Sequence, residues 1–144
     1  MSFDGLLGSP WYKDRRRNEW VKEKTKMNYD KNNIFAKILR GEVPCKKVYE
    51  NDHVLAFHDI SPQKKVHVLV IPKGEYVDLD DFNNKASEKE IVALNKAITN
   101  VSNLLGAKDK GYRALTNIGS DGGQEVPHLH FHIFAGEKIG KMVR

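Results

Sequence analysis

Apolar positions along the chain recur with two periods, and the switches between them mark the elements. Ile34, Phe35, Ile38 and Leu39 have helical spacing behind Asn33, whose side chain can cap the first turn, and Gly41 stops the run. Lys47 to Glu50 and His53 to His58 read as strands on either side of Asn51-Asp52, a two-residue hairpin turn without the usual glycine. Val66 to Ile71 is a third strand, ended by Pro72-Lys73-Gly74. Ser87 followed by Glu90 is a capping box, and Ile91, Leu94, Ile98, Val101 and Leu105 then trace the apolar stripe of one long helix closing at Gly106. That stripe reads as core. Tyr112 to Asn117 and His128 to Phe134 supply two more strands around a glycine-rich loop. Runs of strands with separate helices predict an α+β domain: an antiparallel five-stranded sheet with one long and one short helix, not alternating βαβ units.

Two stretches are read by other signals. Spaced apolar positions between Trp11 and Met27 predict a short helix that docks on the domain through Trp11 or Trp20. Residues 76 to 86, with Tyr76, Asp78, Asp80, Asp81, Asn83 and Asn84, are dense in oxygen but lack the central glycine and closing glutamate of a calcium loop, which predicts a solvated connection. No repeat, low-complexity tract or linker divides the chain. Its 144 residues suit one domain.

Composition narrows the setting. Cys45 is the only cysteine, so no internal disulfide forms and a reducing compartment is expected. No apolar run approaches the roughly 20 residues of a membrane span, and the N-terminus lacks a secretory apolar core, which predicts a soluble cytoplasmic protein. The net charge is +5, but residues 1 to 26 hold seven basic against four acidic residues, which leaves +2 for the rest. Asp14, Glu19 and Glu23 dilute the charge around Arg15, Arg16 and Arg17, so no specific nucleic-acid partner is expected.

The candidate chemistry sits in residues 128 to 134, His-Leu-His-Phe-His-Ile-Phe, where three of the six histidines occupy five positions. Strand alternation puts His128, His130 and His132 on one face and Leu129, Phe131 and Ile133 on the other. Two readings of such a row compete. Alternate imidazoles can ligate a divalent metal with a third ligand from elsewhere, or one imidazole can act as a nucleophile that its neighbours orient. The preceding Ile118-Gly119-Ser120-Asp121-Gly122-Gly123-Gln124 is a tight glycine loop that exposes backbone N–H groups, the chemistry of an anion cradle, without the ending of a Walker loop. Phosphate beside a nucleophile is the combined reading.

Residues 123 to 134 resemble the alternating signature of the histidine-triad (HIT) superfamily of nucleotide hydrolases and transferases. Residues 56 to 63 (Ala-Phe-His-Asp-Ile-Ser-Pro-Gln), 67 to 73 (His-Val-Leu-Val-Ile-Pro-Lys), 111 to 113 (Gly-Tyr-Arg) and Asn117 resemble the Hint branch, purine nucleoside phosphoramidases. The likeness runs from about Asn33 to about Gly136. It implies a HIT domain over residues 33–144 behind a basic extension, residues 1–32, with Met27 where a family member would usually begin. It also implies a homodimer whose two sheets join into one.

By resemblance, His130 attacks phosphorus and carries the nucleotidyl group, while His128 and His132 orient it and bind phosphate oxygens, and His67 joins the histidine network from a neighbouring strand. Asn117, Gly123, Gln124, Glu125 and Val126 would fix the phosphate. Asp59 would bind the ribose hydroxyls, and Ile34, Phe35, Ile38, Phe57, His58 and Ile60 the purine. No metal and no cofactor are implied. The alternatives are hydrolysis of dinucleoside polyphosphates and a nucleotide-binding scaffold acting through partners. Only ten residues follow Phe134, so the longer Trp- and Pro-containing C-terminal segment that shapes leaving-group preference in many Hint relatives is missing. The physiological amine, the pathway and the role of Glu125, at a position that is serine in some relatives and often Glu in bacterial-type members, stay open.

Overall fold

The N-terminal stretch expected as a helix is a β-hairpin. In the structure, a computed structural model that describes residues 11–22 and 29–142, β1 (Trp11–Asp14) pairs antiparallel with β2 (Glu19–Lys22), Lys13 opposite Trp20. Trp11, Tyr12, Trp20 and Val21 are strand formers, and Asn18, at φ 53°, supplies the left-handed residue that closes the turn. Lys13 Nζ lies 5.9 Å from the centre of the Trp20 ring. Trp20 is 41% exposed, and the docking expected of the Trp11 side chain lies outside what is described.

From Tyr29 onward the expected elements appear in order. Asn33 caps α1 (Ile34–Leu39), its side chain accepting from Ala36 N at 2.9 Å, and Gly41 follows at φ 78°. The strands β3 (Lys47–Glu50), β4 (Val54–His58), β5 (Val66–Pro72), β6 (Arg113–Leu115) and β7 (Phe131–Ala135) form one sheet in the order β3-β4-β5-β7-β6. Every neighbouring pair is antiparallel. The β3–β4 turn sits one residue later than expected, at Asp52-His53. Asn51 N bonds Val54 O, while the Asn51 side chain accepts from both His53 N and Val54 N. That Asx geometry holds the turn with no residue in it at positive φ, so glycine is not required.

One helix went unforeseen. Residues 76 to 86 contain α2 (Leu79–Lys85), capped by Asp78, whose side chain accepts from Asp81 N at 2.8 Å, while Phe82 is 1% exposed. Its signals were the Asp78–Asp81 spacing and a single apolar anchor, too short a pattern to show a period. The long helix is α3 (Glu88–Leu104), with the Ser87–Glu90 capping box formed.

The sheet is covered on both faces, which explains why β4 and β5 are almost continuously apolar. On one face Val54, Ala56, Val68, Val70, Leu129 and Ile133 pack with Leu94, Ala97 and Val101 of α3 and with Phe82. On the other, Leu55, Phe57, Leu69 and Ile71 pack with Phe35 of α1, and Ile38, Leu39 and Val126 close around them. No helix among the described residues is long and apolar enough to cross a membrane.

Candidate active site

Only His132 of the histidine row lies within a strand. β7 begins at Phe131, and His128 and His130 lie in the extended lead-in before it. The β5–β7 ladder ends at the Val70–Phe131 pair, two residues short of Pro72, which has no N–H to continue it. Side chains take over there. His128 Nε2 meets Pro72 O at 2.9 Å, Leu129 N donates to Tyr76 O, and Thr116 Oγ1 donates to His130 O at 2.7 Å. The expected alternation of faces survives: Leu129 and Ile133 are fully buried on the α3 side, and the imidazoles turn toward α1.

Fixed backbone partners assign the tautomers of all four imidazoles. A carbonyl only accepts, so His130 Nδ1, 2.7 Å from His128 O, carries the proton, and its Nε2 carries the lone pair. His128 Nε2 likewise donates to Pro72 O, which leaves Nδ1 to accept from the Tyr29 hydroxyl at 2.6 Å. Gln63 N–H donates to His67 Nδ1 at 3.2 Å, so the His67 proton sits on Nε2, where it meets His132 Nδ1 at 2.9 Å. His132 therefore keeps its proton on Nε2. The two adjacent rings, with centroids 5.0 Å apart, thus present opposite Nε2 groups: a lone pair on His130 and a donor on His132. No side-chain nitrogen or oxygen among the described residues is both buried and unpartnered, so these two Nε2 atoms open to solvent.

Burial keeps the cluster neutral. It pushes His128 down to about 4, against the pull of the Pro72 carbonyl, and His132 down to about 4, where His130 and His67 add to it. Burial also lowers His130 and His67, while Asp59 pulls both back up. Neutral imidazoles at pH 7 are the forms that can attack or accept.

The glycine loop is braced from within. Gln124 Nε2 donates to Val77 O at 2.7 Å and to Val126 O at 3.0 Å, and its Oε1 accepts from Gly119 N. The Gln124 side chain is thereby committed to the loop. Gly119 and Gly123 stand at φ 70° and 80°, and a Cβ on Gly122 would collide with Ile118 O, so glycine is required there. Asn117 and Val126 are half-buried and Glu125 is exposed.

The remaining expected residues surround the cluster. Phe35 is edge-on to His130 at 5.0 Å and to Phe57 at 5.7 Å, which gives the site an apolar wall with Ile38. Asp59, just past β4, has Oδ1 accepting from Ser61 N at 2.8 Å and Oδ2 3.4 Å from His67 Nε2. Ile34 is 43% and Ile60 97% exposed, two large apolar side chains that water alone does not favour, and His58 is also exposed. Asp59, His67 and His132 bring ligand atoms within 4.8 Å of one another, so the row has a carboxylate within a metal's reach after all. A metal on His67 Nε2 would force the ring proton onto Nδ1, against the Gln63 N–H, which opposes that use.

Three contributors escaped sequence reading: Tyr29, the Gln63 amide and Thr116. Tyr29 and Thr116 belong to no motif and Gln63 only closes one, and each acts through a contact made in space. A recess of about 1100 Å³ lies where β5 and β6 begin and β7 ends, lined by Val66, Tyr112, Arg113, Ala135 and Ile139 among others, and no histidine lines it.

Comparison with known proteins matches residues 40–139 to the HIT domain model. A 13.2 kDa HIT-like protein of Azospirillum brasilense is 59% identical over 115 residues, 80% of this chain and 94% of that protein. Among solved structures, a HIT family hydrolase from Clostridium thermocellum superposes with a TM-score of 0.73 at 37% identity, covering 79% of this chain and 99% of that one. A histidine triad nucleotide-binding protein from Candida albicans superposes at 0.65 with 28% identity, covering 78% and 85%.

Proposed function

The chain belongs to the HIT family, and from that premise we propose that it hydrolyses purine nucleoside 5′-phosphoramidates through a covalent nucleotidyl-histidine intermediate. The observation that carries the reading is the pairing of tautomers, a lone pair on His130 Nε2 beside a donor on His132 Nε2. His130 Nε2 attacks the α-phosphorus, the Nε2–P bond forms as the P–N bond breaks, and the leaving nitrogen takes a proton from solvent water to depart as the amine. The ring turns cationic as it does so, and the His128 carbonyl on Nδ1–H stabilises that charge. Water then displaces the imidazole and releases the nucleoside monophosphate.

His132 Nε2–H and the amides of Glu125 and Val126, with Asn117, hold the phosphate oxygens, while Gly123, whose N–H donates to Ser120 O at 3.1 Å, shapes the loop. His128, with both nitrogens already paired, orients His130 without touching phosphate. Gln124 acts by shaping the loop. The free lone pairs of Asp59 receive the ribose hydroxyls. Ile34 and Ile60 close on the purine above Phe35, Ile38 and Phe57, with His58 at the rim; covering two exposed isoleucines is itself favourable. The three-residue strand β6, at one edge of the five-stranded sheet, suits a homodimer with a continuous sheet, and light scattering of the purified protein reads the dimer directly.

The test offers the purified protein an adenosine phosphoramidate and a diadenosine polyphosphate side by side, with and without chelator. Release of the monophosphate from the phosphoramidate, undiminished by chelator, is expected. Faster cleavage of the polyphosphate would reassign the substrate, chelator-sensitive turnover restored by zinc would reinstate a metal at Asp59, His67 and His132, and binding without turnover would make the protein a nucleotide-binding scaffold.

A further inference from the structure

Tyr29 lies before the segment that matches the family model, which begins at residue 40, yet it reaches the core of the site. Its hydroxyl is 2.6 Å from His128 Nδ1, and the two rings meet edge to face at 5.6 Å. His128 is fully buried. Pro72 O occupies the Nε2 end of that ring as an obligate acceptor, so the Tyr29 hydroxyl must donate at the other end. The chain of bonds extends both ways. Asn33, the cap of α1, pulls the Tyr29 phenol pKa down against the rise that burial causes, and His128 O accepts the proton of His130 Nδ1. Every bond in this series has one permitted direction.

We propose that Tyr29 is a positioning residue for the reaction: by pinning the buried His128 ring at its second nitrogen, it fixes the carbonyl that holds His130 in its nucleophilic tautomer. A ring held at both ends and fully buried cannot turn about its own axis without losing a hydrogen bond, and its backbone turns with it. With phenylalanine at 29, the His128 Nδ1 lone pair has no donor. His128 then has one anchor, its carbonyl is free to drift, and His130 samples the tautomer with the proton on Nε2, which cannot attack.

This role rests on His130 as nucleophile, so the experiment has two arms that fail separately. In the full-length protein with 15N-labelled histidine, ring nitrogen shifts are expected to show protonated Nε2 on His128 and protonated Nδ1 on His130. Tyr29→Phe is expected to split the His130 signals between tautomers and to lower kcat about tenfold while KM stays within about twofold, the pattern of an interaction used in the transition state. Wild-type spectra with a proton on His128 Nδ1, or none on His130 Nδ1, would overturn the proposal even if the variant failed to fold. So would a Tyr29→Phe protein that melts earlier but keeps its kcat and its His130 spectrum, since Tyr29 would then be structural only. A wild type inert toward nucleoside phosphoramidates would remove the catalytic reading, while the spectra would still decide whether Tyr29 orders the pair.

Discussion

Leu129 and His130 are neighbours in the chain and almost equally buried, at 0% and 5% exposure, yet they belong to opposite faces of the sheet. Leu129 sits among Val54, Val68, Ile133 and α3, where removal from water is favourable for every atom. His130 faces Phe35, its one buried proton spent on the His128 carbonyl and its charged form disfavoured. On the α3 face burial stabilises the fold. On the α1 face it costs stability for any charged ring and keeps the imidazoles neutral, so the same degree of burial serves reactivity. Core packing needs only shape and volume, whereas the second face needs oriented donors and acceptors, which arrive from Tyr29, Gln63, Pro72 and Thr116.

That contrast breaks if one face can be altered with the other's consequences. The largest effect is expected from His130→Ala, which should lower turnover roughly 10³-fold or more while nucleotide affinity by calorimetry changes little, because Asp59 and the loop remain. Near-normal turnover, or a trapped nucleotidyl adduct on His128 or His132, would refute the assignment. Leu129→Ala should do the reverse. It should cost about 2–5 kcal/mol in a denaturant titration, while turnover per folded molecule stays close to wild type. A matching loss of rate in fully folded Leu129→Ala would mean the two faces are not separable.

Acid sharpens the same distinction. His128 and His132 titrate near 4 in the fold against about 6.5 in an unfolded chain, so between those values the unfolded state binds more protons. The histidine contribution to stability should therefore be flat above pH 7 and fall as pH drops from about 6.5 toward 4, as melting temperatures across that range would show; below 4 the carboxylates of Glu42, Glu50 and Glu90, held low in the fold, take over the loss. The acid limb of the rate should lie below pH 6.5, because His130 is lowered too. A limb above that value would contradict the buried neutral cluster. The smallest effect is expected from removing residues 1 to 26, since a two-stranded hairpin adds little stability by itself and Tyr29 is retained. Activity should stay within about twofold of wild type; a folded but inactive protein starting at Met27 would place the hairpin in the site.

Long periodic stretches were legible because their pattern and their burial express one preference. The α3 stripe, the Ser87–Glu90 box, the Asn33 cap and the apolar strands β4 and β5 stand where periodicity put them, to within a residue at the strand ends. Short elements were not. Seven residues of α2 and four-residue strands β1 and β2 carry too few positions to separate a period of 3.6 from one of 2.

The chain alone determined the composition of both faces: alternation at residues 128 to 134 assigned Leu129 and Ile133 to a core and three imidazoles to the side opposite, and the glycines required a tight loop before them. Tertiary structure decided what each imidazole does. A histidine offers one donor and one acceptor, and which nitrogen is which depends on partners distant in sequence: Tyr29 lies 99 residues from His128, and His67 lies 65 from His132. Hydrophobic periodicity is a property of neighbours along the chain, so it can be read there. The direction of a hydrogen bond is a property of neighbours in space, and only the folded sheet, with Pro72 ending one ladder and Gln63 capping His67, supplies them.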